Sequence, residues 1–282
     1  MTLKTSAIIA SAILSIHLSG YCQSLRYPFA LPYLNLNAYS ASQADPLSFT
    51  ANQAALAKIN QVGAGVYGER RFLLAATSSY AAAFVVPSRL GNFGVALNYS
   101  GFKNFNENKI GLAYSRSLGT KIDIGIQFNY YSYRIPSYPS GSSVNLEAGV
   151  IMHLSDKLNA GAHVFNPVGG KLGKLQDEKL ATAYKFGLGY DASDNFFVSY
   201  EIVKEEDKPV NVIAGFQYQF AKQFFVRSGI MSESSTVFAG AGVRFKNLRL
   251  DIAGSYHQQL GFSPGLLFIA NFGTKKEQVN IE

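Results

Sequence analysis

The chain has 282 residues, a formal net charge of +7, 48% hydrophobic and 15% charged residues, and a single cysteine. The basic surplus is scattered ("ERR" at 69–71, "KEEDK" at 204–208, "TKK" at 274–276) rather than gathered into a patch, which argues against nucleic acid as a partner. One cysteine excludes a disulfide framework and a thiolate metal site.

Residues 1–22 read as an export signal. Lys4 precedes the apolar run "TSAIIASAILSIHLSG", too short and too early for a membrane span, and "YCQS" follows, with a cut expected before Gln23. Tyr21 is bulky where a lipoprotein signal requires a small residue, so lipidation of Cys22 is not expected. The rest of the chain contains no apolar run of ~18 residues and therefore no ordinary helical span. Two environments remain: a soluble exported β protein, or an outer-membrane barrel.

Residues 23–60 do not alternate. They hold three of the nine prolines and the stretch "DPLSFTANQAALAKI", which reads as a turn followed by a short helix. From Gln61 the pattern changes to period two and stays so to Phe272. About fourteen segments have the length of a tilted membrane strand: 61–70, 73–86, 91–102, 107–118, 120–134, 142–154, 157–166, 181–191, 194–204, 209–220, 222–232, 235–246, 247–257 and 262–273. Tight connections ("SRLG", "LGT", "SDK", "ASD", "AK", "KN") alternate with mostly longer ones ("GFKNFNEN", "IPSYPSG", "NPVGGKLGKLQDEK", "KEEDKP", "SESS", "QQLGFS"). Outer-membrane meanders behave this way, with short periplasmic turns, longer outer loops and both termini in the periplasm.

The stretch "KIDIGIQFNYYSY" poses the question of orientation. Ile122, Ile124, Ile126, Phe128 and Tyr130 form one face; Lys121, Asp123, Gly125, Gln127 and Asn129 form the other. Such alternation also fits a soluble sandwich. Two features favour the membrane. The polar stripe is studded with small residues (Gly63, Gly65, Gly94, Ala96, Gly111, Ala113, Gly187, Gly189, Gly240, Gly242), which suit a crowded concave interior better than a wet surface. The oily stripe ends in rings, among them Tyr99, Phe102, Tyr114, Tyr130, Tyr190 and Tyr256, as an interfacial girdle requires.

An export signal, "ADPLSFTANQAAL" at 44–56 and glycine-rich strands opening with "VGAGVYGERR" together resemble the FadL-like superfamily of outer-membrane barrels, and within it the PorV/PorQ-type branch associated with type IX secretion. Asp45 corresponds to an acidic residue of that family. Asn52, Ala54, Ala55 and Leu56 correspond to its Asn-Pro-Ala motif ending in Leu, with Gln53 in place of the proline. "FNPVGGKL" at 165–172 resembles a strand exit of these barrels, and the chain is short for the family, so trimmed outer loops are expected. The resemblance implies a barrel entered from the periplasm with residues about 25–60 as a plug. A glycine-lined bore also needs filling, and the nearest non-strand segment is the candidate. The expected organisation is therefore a signal at 1–22, a plug and short helical segment at 23–60, an all-β transmembrane antiparallel up-and-down barrel at 61–273 and a periplasmic tail at 274–282.

Three histidines follow the signal, His153, His163 and His257, and all are expected to face inward. No HExxH, HxH or GxSxG spacing accompanies them, so no catalytic, metal or cofactor site is expected. Glu147, Lys185, Glu201, Arg227, Arg244, Arg249 and Asp251 also face inward in this register. Charges inside a narrow barrel must be paired or hydrated. They form either a network fastening plug to wall or a polar path for a solute. The loop at 166–181 is either a surface for an exported partner or a solvated connection. The leading functional reading is a non-enzymatic accessory barrel in protein export or surface attachment, with outer-membrane lipid and a secretion-system or exported protein as partners. The alternative is a passive transporter of small hydrophobic molecules, and a third reading is a soluble periplasmic binding protein.

Overall fold

The computed structural model describes residues 31–136, 140–169 and 180–273. Its strands, in chain order, are β1 (Val62–Arg70), β2 (Ser78–Pro87), β3 (Asn92–Gly101), β4 (Asn106–Leu118), β5 (Ile122–Arg134), β6 (Gly141–His153) and β7 (Leu158–Phe165). They continue as β8 (Ala183–Ser193), β9 (Phe196–Glu205), β10 (Asn211–Gln219), β11 (Phe224–Met231), β12 (Thr236–Phe245), β13 (Leu248–His257) and β14 (Gly261–Phe272). Each pairs antiparallel with its neighbour in sequence, and β1 pairs with β14 from Val62↔Phe272 to Glu69↔Gly265, so the fourteen strands close into a barrel without an edge. No helix among the described residues is long and apolar enough to cross a membrane.

Strand positions agree with the periodicity to within a few residues, with one correction. Residues 73–77 were expected to begin the second strand; instead the chain passes through short 3-10 turns at Arg71–Leu73 and Ala75–Thr77. The sequence there, "RFLLAAT", has no alternation to hold it in a ladder. The Thr77 hydroxyl donates to the Arg71 carbonyl at 2.6 Å and the Phe72 amide donates to Ser263 Oγ at 2.9 Å, which closes the turn locally. The signal and its cleavage point, residues 23–30, most of the 166–181 loop and the tail at 274–282 lie outside the described residues.

The period of two resolves into the two faces anticipated. Ile122, Ile124, Phe128 and Tyr130 are exposed on the outer wall, while Asp123, Gln127 and Asn129 are buried inside. The same parity puts Leu112, Val144, Phe186, Ile252 and Leu266 outside. Such a continuous apolar exterior is far larger than a water-soluble surface carries, and it matches a lipid-facing band.

The interior is occupied. Residues 31–59 run along the bore as a short helix, Pro32–Asn35, and 3-10 turns at Leu36–Tyr39, Ser48–Thr50 and Gln53–Lys58. Where a turn and a short helix were expected, the chain forms 3-10 turns at Ser48–Thr50 and Gln53–Lys58. Leu31, Leu34, Leu47, Phe49 and Leu56 are buried in one apolar cluster with the wall residues Tyr67, Val85, Leu267 and Ile269. At ~1.5–3 kcal/mol per buried large apolar side chain, this contact is a principal attachment of segment to wall, beside the hydrogen bonds described below.

Candidate functional site: the filled bore

The small residues of the inner stripe are the complement of the segment. A Cβ on Gly65 would meet Leu47, one on Gly94 would meet Phe49 and Leu56, one on Gly149 would meet Asn52, and one on Gly187 or Gly189 would meet Tyr39. At Gly125 it would strike the backbone of Gln53 itself, so no side chain can stand there while the segment is in place.

The residues singled out in the segment make specific bonds. Asp45 Oδ1 accepts from the Leu47 amide at 3.0 Å and from the Ser48 hydroxyl at 3.2 Å, shaping the turn, while its Oδ2 accepts from Arg249 at 3.0 Å. Asn52 Oδ1 accepts from the Ala54 amide at 3.0 Å and its Nδ2 donates to the Ala162 carbonyl at 3.2 Å, which caps the turn that begins at Gln53 and ties it to β7. Gln53 Nε2 donates to Glu147 at 2.7 Å. Ala54, Ala55 and Leu56 are fully enclosed. Where the family motif has proline, glutamine supplies a side-chain donor to a buried wall carboxylate.

The inward charges gather into clusters along the bore, and His163 of the Glu147 cluster faces Lys185 of the next across the β7–β8 ladder. Glu147 on β6, wholly buried, accepts from Lys109 at 3.0 Å, Asn129 at 2.9 Å and Gln53 at 2.7 Å, with His163 Nε2 at 3.1 Å. Lys185 and Glu201 lie 3.9 Å apart on β8 and β9, and Glu201 also accepts from the Tyr39 hydroxyl at 3.0 Å. On β11 and β13, Arg249 bridges Asp45 and Asp251, Arg227 stands 3.6 Å from Asp45 and donates to Gln217 at 2.6 Å, and the Tyr33 hydroxyl donates to Asp251 at 2.9 Å. His153 pairs with Asp123 at 2.8 Å near the short-turn end, where Lys58 of the segment also reaches Asp123 at 3.4 Å.

Two expected members stand apart. Arg244 lies over the Phe225 ring at 5.8 Å and makes no ion pair among the described residues. His257 sits at the long-loop rim, edge-on to Phe72, accepting from the Gln259 and Leu260 amides, so it belongs to a turn and not to the bore.

Several contributors were not singled out in sequence. Lys109, Asp123 and Asp191 share the inward parity, and Asp191 gathers the Ser40 hydroxyl at 2.7 Å, the Ala41 amide at 3.0 Å and the Ser42 hydroxyl at 3.1 Å. The polar stripe does not line the whole interior: an apolar seam of Tyr67, Val85, Leu267 and Ile269 runs along β14, β1 and β2. The unbroken apolar runs "AAAFVVP" and "GLLFIANF" carry that signal: a strand that is oily on both faces has lipid on one side and packed protein on the other. Among the described residues no group of three or more His, Cys, Asp or Glu is placed to hold a metal ion.

Neither family models nor curated proteins match this sequence. Solved structures share its fold. The CymD monoaromatic hydrocarbon channel superposes with a TM-score of 0.59 at 11% identity, covering 85% of this chain and 99% of that one. The Ralstonia pickettii toluene transporter TbuX gives 0.57 at 12% identity over 84% and 97% of the two chains. A Pseudomonas aeruginosa FadL homologue gives 0.53 at 12% identity over 81% and 93%. The fold these structures share with the chain is a closed up-and-down barrel, here of fourteen strands. The leading expectation, an accessory role in protein export, is corrected by this result: the barrels that share the fold include one described as a monoaromatic hydrocarbon channel and one as a toluene transporter, in line with the alternative reading.

Proposed function

We propose that this chain is a bacterial outer-membrane channel that passes small hydrophobic molecules, with residues 23–60 as a plug that must shift for passage. In this reading the signal at 1–22 directs export, and both termini face the periplasm, where the short turns lie.

The apolar seam along the inner wall carries the proposal. Tyr67, Val85, Leu267 and Ile269 are buried against Leu47, Phe49 and Leu56 of the plug, while the ion pair to Asp45 and the hydrogen bond from Gln53 to Glu147 hold its neighbouring residues. Sliding the plug away from the seam would open an oily track on one side of the bore and leave the polar side lined by its own charge pairs. A hydrocarbon gains ~25 cal/mol for each Å2 it removes from water, so such a track favours apolar cargo over ions. Fold likeness to barrels described as hydrocarbon channels supports the same cargo class.

The test is uptake of labelled toluene by cells that lack their own hydrocarbon channel and carry this chain in the outer membrane. Uptake above that of empty-vector cells is expected. Equal uptake in both sinks the reading.

A further inference from the structure

Two adjoining depressions mark the outside of the wall between β1 and β6. The first, about 610 Å3, is mostly apolar, lined by the outward Val66, Tyr80, Ala82, Leu97, Ile110 and Tyr130, with the inward-parity Tyr67, Ala81, Asn98 and Lys109 also at its wall. The second, about 250 Å3, lies directly beyond it toward the long connections and is polar, lined by Asn106, Asn108, Ser132, Arg134 and Ser142. Asn108, Tyr130 and Ser132 line both, so the two form one continuous feature, oily at one end and polar at the other.

Sequence parity builds it. Outward positions on β4 run Ile110, Asn108, Asn106, and those on β5 run Tyr130, Ser132, Arg134, with Ile110↔Tyr130, Asn108↔Ser132 and Asn106↔Arg134 paired across the ladder. Ala82 leaves the floor of the groove low between the longer side chains of Tyr80 and Leu97, and the Tyr80 and Tyr99 rings stand 6.3 Å apart at its margin. In the polar half, Asn108 Nδ2 donates to Asn106 Oδ1 at 3.0 Å, and Asn106 Nδ2 donates to the Phe102 carbonyl at 3.2 Å, which fixes both amides. Arg134 is exposed and forms no ion pair among the described residues. No carboxylate lines either depression.

We propose that this feature binds an acylated lipid bearing an anionic phosphate headgroup. An acyl chain fills the groove over Ala82, flanked by Leu97 and Ile110. The phosphate meets the Arg134 guanidinium, which suits phosphate through its planar fork of donors, while Ser132 and Asn108 offer neutral partners. Tyr130, common to both halves, presents an apolar ring to the chain and a hydroxyl to the head, the arrangement favoured at a membrane interface. The combined size falls in the ~300–1,000 Å3 range of ligand pockets. The inference requires that the outer wall face lipid, and it does not depend on hydrocarbon transport.

The experiment is native mass spectrometry of the full-length protein in detergent, offered lipid A, phosphatidylglycerol or phosphatidylcholine at equal concentration. Retention of the phosphate-anionic lipids is expected to exceed that of the zwitterionic lipid about tenfold, and Arg134→Gln should remove most of this difference, as expected for loss of a charge-assisted contact. Ala82→Trp, which fills the groove, should reduce retention of both anionic lipids. Lys204→Gln, an exposed cation on β9 at the same end of the barrel, should leave it unchanged.

Preference for lipid A assigns the site to a glycolipid, and preference for phosphatidylglycerol assigns it to a phospholipid. The proposal is overturned if phosphatidylcholine is held equally well, if Arg134→Gln has no effect, or if Lys204→Gln lowers retention as far as Arg134→Gln does. Should Ala82→Trp fail to give a heat-modifiable barrel, Arg134→Gln decides alone, because that side chain is exposed. Toluene uptake measured on the Arg134 variant separates this site from transport: lost lipid retention with normal uptake is the expected pair.

Discussion

Tyr39 stands in the hollow that Gly187 leaves open, and its hydroxyl donates to Glu201 at 3.0 Å on the neighbouring strand. Shape fixes where the ring can sit and the hydrogen bond fixes how deep it goes. With the Ser40 hydroxyl bonded to Asp191 at 2.7 Å, this contact fixes the position and rotation of residues 39–40 against β8 and β9.

Gly187→Val is therefore expected to evict the ring. The strand keeps its ladder and its lipid-facing residues, so the barrel should still form, with its interior segment displaced. Planar-bilayer recordings should show larger and more frequent conductance steps than the unaltered protein. Conductance identical to the unaltered protein would refute the pairing.

Glu147 is the most heavily bonded carboxylate of the bore, with Lys109, Asn129, His163 and Gln53 converging on it. Glu147→Ala strands the Lys109 ammonium in a buried site, at a cost of ~3–5 kcal/mol. The temperature at which the folded band converts on a heat-modifiable gel should drop clearly. Replacing both members, Glu147→Leu with Lys109→Met, should recover much of the loss, because no charge is then left unpaired. A single variant as heat-resistant as the unaltered protein would contradict this account.

Asp45→Ala offers the opposite case. Arg249 keeps Asp251, to which it is held by two of its nitrogens, and Arg227 loses its ion pair at 3.6 Å but keeps its bond to Gln217 and its place over the Tyr33 ring, so neither guanidinium is left without a partner. Overall stability should fall by only ~1–3 kcal/mol, while residues 45–59 lose their tie to β13. Hydrogen exchange in that stretch should speed up and exchange in the strands should not. Uniform acceleration across the barrel would argue against a local fastening.

Inward parity was legible because each strand from β3 to β13 alternates with little noise: Asn145, Glu147 and Gly149 oppose Val144, Leu146 and Ala148 as the pattern demands. The grouping of the inward charges was not legible. Strand register joins Gly242 to Asp251 and Gln127 to Glu147, but which residue of the interior segment reaches each carboxylate depends on the path of residues 31–59, and that path follows no period. The seam of Val85 and Leu267 escaped for a related reason: two oily faces on one strand erase the alternation by which faces are told apart. His257 has the right parity and the wrong height, since period two gives the side of a strand and not its depth in the bore.

Phe128 lies mid-strand on the outer wall, 58% exposed. Phe128→Lys places an ammonium in the acyl region, at a cost of ~2–4 kcal/mol near the midplane. Equilibrium folding into phospholipid vesicles should shift by that amount. The same substitution on a water-facing wall would improve solubility and leave stability nearly unchanged, and that outcome would overturn the lipid-facing assignment.

The join between β1 and β14 has a consequence for biogenesis. Residues 31–59 precede the first strand in the chain yet end up encircled by all fourteen, and the circle has no gap once Val62 meets Phe272. The first strand therefore stays half-paired until the last one is made, and once the ring is shut the filler can enter or leave only along the axis. Leu47, seated against β1, and Tyr39, seated against β8, lie on opposite walls, so axial travel must unseat both.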